Sequence, residues 1–158
     1  MVSRPPYILP LRLDIHAPVG GRYVSALRRQ ILAAHALLRS PLKELSLAIV
    51  PRRQMALLHK KFLHRSGPTD VLSFELDHDP RGRVASGEII ICHTIAHERA
   101  RSLGHRVAHE LLLYALHGLL HLSGFDDRTQ SAFTMMHAKE DEILTGLGVG
   151  PVFCKRSS

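Results

Sequence analysis

Tryptophan is absent from this 158-residue chain, which holds only three tyrosines and five phenylalanines. So few rings leave no evident aromatic platform on which bases could stack. Cysteine is almost absent as well: Cys92 and Cys154 make no C-x-x-C motif and no disulfide framework. That usage points to a reducing cytoplasm, with no disulfide partner and with Cys92 as a small buried hydrophobe closing a strand. No run approaches the roughly 18 uninterrupted apolar residues of a membrane span. Pro5, Pro6 and Pro10, with no long apolar run around them, argue against a signal peptide. Acidic charge is in deficit, with 14 Asp and Glu against 21 Lys and Arg and a net charge of +7. The excess favours an anionic partner, RNA being the obvious polyanion. Paired cations such as Arg28/Arg29 and Lys60/Lys61 would also suit solvated helix faces.

Histidine, by contrast, is abundant at 12 residues. His117 and His121 stand four apart in an apolar stretch without proline, which predicts a helix. On a helix that spacing puts both imidazoles on one face, with Cβ atoms about 5–6 Å apart, so both reach one metal ion. Gly124 suits the C-terminal turn, and the reversed chain brings Asp127 back as an oxygen ligand. Three protein ligands and one open position describe a catalytic site, most simply for one zinc ion per chain. Asp126 or His137 are the alternatives to Asp127 as third ligand. The spacing follows the zincin pattern, but Gly118 stands where a metalloprotease carries its glutamate base. Gly118 either leaves room beside the metal or allows close helix packing. His93/His97 and His105/His109 repeat the four-residue spacing without the glycine turn and the acid. They are read as surface, RNA-facing or supporting residues.

The segment His-Gly-Leu-Leu-His-Leu-Ser-Gly-Phe-Asp-Asp at 117–127 resembles the signature of the YbeY family of endoribonucleases, with Asp127 in place of its last histidine. Thr69-Asp70-Val71-Leu72-Ser73-Phe74 and Gly87-Glu88-Ile89-Ile90-Ile91 resemble two of its strands. Glu110 matches an acidic position, and Met136, Glu140, Ile143 and Leu144 resemble its closing helix. The resemblance covers roughly residues 45–147. His59 and Leu63 depart from the family's usual asparagine and arginine, and Arg65 is the nearby cation that could stand in for the latter. The resemblance implies a single-strand endoribonuclease acting in ribosomal RNA maturation and ribosome quality control, with ribosomal subunits or proteins as further partners. Ser73 and Asp70 match family positions, either in the chemistry or holding the strand against the metal helix. Asp126 is either a base or a loop acid. Glu110, two turns before His117, would orient an imidazole from behind. Exchanging an imidazole for Asp127 removes one positive charge from the ligand set and weakens the metal as a Lewis acid.

Hydrophobic content of 45% and charged content of 22% suit one soluble domain. Residues 1–150 are read as a single metal-dependent hydrolase domain and 151–158 as a disordered basic tail. Strands are expected at 7–15, 45–50, 71–76 and 88–92, and helices at 22–38, 51–63, 93–103, 106–122 and 129–144. Residues 77–86, rich in Asp, Pro, Gly and Arg, are expected to be a loop. The fold class is α+β, a small mixed sheet of about four strands packed with about five helices. A non-catalytic RNA-binding assembly factor with a structural metal, or a metal hydrolase of another substrate such as a peptide, are the competing readings.

Overall fold

The computed structural model describes residues 10–151. Short apolar runs build the sheet: Arg12–His16 (β1) and Glu44–Val50 (β2) place Leu13, Leu45 and Leu47 in the core. Val84–Cys92 (β4) is buried along nearly its whole length, as expected for a strand covered on both faces. Val71–His78 (β3) lies at the edge and runs antiparallel to β4. The order is β1-β2-β4-β3, with β1, β2 and β4 parallel. Helices Val24–Leu38 (α1), Arg52–Leu63 (α2), His93–Leu103 (α3), Val107–Leu122 (α4) and Gln130–Gly146 (α5) complete the α+β fold. A single 3₁₀ turn, Gly21–Tyr23, precedes α1. No helix among the described residues is long and apolar enough to cross a membrane.

Several boundaries differ from expectation, two regions most. The first strand begins at Arg12, and the N-terminal part of the expected 7–15 run lies outside the described residues, as do 152–158 of the expected tail. The supposed loop at 77–86 is mostly hairpin, because β3 runs on to His78 and β4 starts at Val84. Asp79 closes the turn: its Oδ1 accepts from the Arg81 and Arg83 backbone N–H at 2.9 and 3.0 Å, and its Oδ2 from Arg83 Nε at 2.8 Å. Those polar residues read as loop by composition, although the ladder extends through them.

At the centre lies α4. Leu111, Leu112, Leu116, Leu119 and Leu120 have no exposed surface, so the helix is apolar on nearly every side, as burial within a core demands. It packs on β3 and β4 and touches α1, α3 and α5. Two glycines set the approach. A Cβ on Gly118 would meet three side-chain atoms of Ile89 at 2.9–3.0 Å, and one on Gly87 would meet Leu122 Cδ1 at 2.6 Å. The space at Gly118 therefore belongs to the sheet and not to the metal site. Gly118→Ala should cost stability, since overpacking of about 1–3 kcal/mol outweighs a helix-propensity gain of about 1 kcal/mol. Urea unfolding checks this; an unchanged midpoint with altered metal affinity would return the glycine to the site.

Candidate metal centre

The C-terminal turn of α4 decides the geometry. Gly124, at φ 100°, reverses the chain, and Phe125 N–H donates to Leu120 C=O at 3.0 Å. The loop then carries Asp127 back over the helix. His117 and His121 present Nε2 atoms 3.1 Å apart, and Asp127 Oδ2 lies 3.9 and 3.7 Å from them. Ligand atoms around a tetrahedral ion with bonds of about 2.0–2.1 Å sit ~3.3 Å from one another. The three donors therefore fit such an ion with shifts of a few tenths of an ångström, and they form the one such group of three or more among the described residues. His121 and Asp127 line an open cleft of about 540 Å³, to which Ser73 and Glu75 from edge strand β3 and Asp126 from the loop contribute, while His117 lines a smaller cavity behind them.

Burial first, and then the neighbouring His117, lower the pKa of His121, against the opposing pull of Asp127. The ring is thus neutral at neutral pH and its lone pair is free to ligate. On the far side of His117, Nδ1 lies 3.8 Å from Oε2 of Glu140, whose side chain is 1% exposed. Glu140 Oε1 lies 3.3 Å from His137 Nδ1. A carboxylate behind Nδ1 favours the proton on that nitrogen and leaves Nε2 bare towards the cleft, the arrangement that fixes a ligating imidazole. A cavity of about 90 Å³ lined by Asp70, Tyr114, His117, His137 and Glu140 makes this back wall polar. Glu140→Ala should lower metal affinity about 10–100-fold, and Glu140→Gln, which keeps an acceptor, should lower it less. Competition with a chromogenic chelator measures both, and equal affinities in all three proteins would remove Glu140 from the site.

Other residues singled out by sequence take definite places. Glu110 does not stand behind His117: its Oε1 lies 2.7 Å from His105 Nε2, and Glu140 occupies the place expected of Glu110. Both acids face inward from helices, but which imidazole each meets depends on how α4 and α5 cross. The visible signal for Glu140 was an acid on the apolar face marked by Met136, Ile143 and Leu144. Asp70 accepts from Arg99 Nη1 at 2.7 Å and from the Val71 N–H at 2.8 Å, anchoring β3 to α3. Asp126 is held by Arg128, accepting from its backbone N–H at 2.6 Å and from Nε at 2.8 Å. Hydrogen bonds from that side chain lower the Asp126 pKa, which makes it a weak base. Arg65 lies exposed between α2 and β3, and it does not line the cleft. His137 is drawn to Glu140 behind His117, outside the group of three donors.

Fold and site together define a small α+β protein with a helix-borne imidazole pair and a returning carboxylate that could hold a metal ion. The chain belongs to the YbeY family: the family model described as Endoribonuclease YbeY matches residues 20–148. Endoribonuclease YbeY of Acidothermus cellulolyticus is 38% identical over 136 residues, covering 77% of this chain and 83% of that one. Its counterpart in Renibacterium salmoninarum is 39% identical over 112 residues, covering 66% and 71%. The solution structure of TM1509 from Thermotoga maritima shares the fold, with a TM-score of 0.57 at 24% identity over 87% of this chain and 91% of that one.

Proposed function

We propose that this chain is a cytoplasmic, zinc-dependent single-strand endoribonuclease acting in ribosomal RNA maturation and ribosome quality control. The observation that carries the reading is the convergence of His117, His121 and Asp127 on one point, with His121 and Asp127 lining an open cleft, in a basic chain of this family. One zinc ion held there would supply Lewis acidity, polarising a phosphoryl oxygen and acidifying water. Residues 1–150 act as one hydrolase domain, with 151–158 as a tail. His117 and His121 hold their lone pairs towards the cleft, with Glu140 keeping the His117 ring in register. Ser73 offers a hydroxyl on the β3 side of the cleft. Arg128, 86% exposed in its side chain and paired with Asp126, also lines the cleft and would bring positive charge to a phosphate there. Peptide hydrolysis is disfavoured because the place of a metalloprotease glutamate is taken by Gly118, which faces Ile89.

Cleavage of a labelled single-stranded RNA, with chelator and after zinc is restored, tests the activity. Activity that disappears with chelator and returns with zinc is expected. RNA affinity should also fall steeply with salt, with a log–log slope of about −0.7 per neutralised phosphate. Salt-dependent binding without cleavage at any zinc level would leave a non-catalytic RNA-binding assembly factor. Flat binding together with casein cleavage would make the substrate peptide.

A further inference from the structure

Helix α3 carries His93 and His97, whose Nε2 atoms lie 3.0 Å apart, against 3.1 Å for His117 and His121. Their ring centroids are 4.3 Å apart, against 4.6 Å in the cleft. The remaining pair at this spacing is different, because His105 points Nε2 at buried Glu110. Two of the three pairs thus share one ligand geometry, and only one of those belongs to the cleft.

The His93 ring is held in place. Gly20, at φ 71°, leaves room for it, since a Cβ there would stand 2.9 Å from His93 Cδ2. Tyr23 flanks both imidazoles, with centroid distances of 6.1 and 6.5 Å. Arg22 is turned onto that tyrosine: its Nη2 donates to the phenolic oxygen at 2.8 Å and its guanidinium lies 4.9 Å from the ring centroid; Glu98 and Arg101 share a surface pocket with His97. His97 is exposed, which leaves the outer face open to solvent.

We propose that His93 and His97 form a second, two-imidazole site that takes zinc or another late first-row divalent cation. Imidazole donors select such ions over magnesium or calcium. With two protein ligands in place of three, the site binds more weakly than the cleft. It stands independently of the reading of the cleft as an endoribonuclease centre.

Equilibrium dialysis of the untagged chain against zinc, followed by elemental analysis, tests it. The wild type is expected to take a tight equivalent and then a weaker one. His97→Ala, at an exposed position, should lose only the weaker one, while the double variant His117→Ala/His121→Ala should lose only the tight one. In that double variant zinc should still raise the melting temperature, because it binds the native state. Adding His97→Ala should remove that rise. Saturation of the wild type at one equivalent, or a second equivalent surviving His97→Ala, overturns the proposal. Loss of the second equivalent on His109→Ala in place of His97→Ala would do the same.

Discussion

His121→Ala is expected to empty the metal centre and take RNA cleavage with it. The substitution leaves His117 and Asp127, two donors 3.9 Å apart, where a stable catalytic ion has three protein ligands. Metal content should fall from about one ion per chain to a small fraction, with His117→Ala behaving alike. Lewis-acid stabilisation is worth several kcal/mol and each 1.36 kcal/mol is about tenfold in rate, so cleavage should fall by at least ~100-fold. Asp127 is the sharper test. Asp127→Ala should also lose the metal, whereas Asp127→His supplies a third nitrogen and should retain it. Elemental analysis of the four proteins beside wild type decides between ligand sets. Full metal content in Asp127→Ala would show that another group completes the site.

The second large effect concerns stability and not chemistry. Glu110 has no exposed surface, and its Oε1 meets His105 Nε2 at 2.7 Å. Its other neighbour is the buried Tyr114 phenol, whose pKa is pushed up by burial and by Glu110 itself. Removing the partner of a buried hydrogen-bonding group leaves it unsatisfied and costs about 1–3 kcal/mol. His105→Ala should therefore lose that much, a large share of the roughly 5–15 kcal/mol that holds a domain folded. Adding Glu110→Met to His105→Ala should recover much of the loss, since apolar replacement of both partners leaves neither of them buried and unsatisfied. Urea unfolding of the three proteins measures this. A loss below about 1 kcal/mol in His105→Ala would mean that water reaches the carboxylate.

Local pattern carried much of this structure into the sequence. The apolar run around His117 and His121 specified a buried helix, and Gly124 with Asp127 specified the return, because each signal spans only a few residues. What was hidden depends on how distant elements meet. Glu110 and Glu140 are both acids on apolar helix faces, and only the packing of α5 on α4 puts Glu140, not Glu110, behind His117. Gly118 was ambiguous for the same reason: Ile89, which decides its role, lies on another element. The hairpin through Asp79 was hidden because turn chemistry and solvent-facing strand ends use the same polar residues. The histidine pairs show the limit most clearly. Equal spacing made them alike, and only the side-chain environment separates His105, drawn to Glu110, from His93 and His97, which face each other.

The ligands of the cleft are mounted on parts of unequal permanence. His117 and His121 stand on α4, which is buried on nearly every side, so its backbone should open only with the core. Asp127 stands on the loop after Gly124, where local opening suffices. If these three side chains hold an ion, its residence time should follow the excursions of one carboxylate and not the lifetime of the fold. A protein so built would be expected to trade its metal many times within a single folded life.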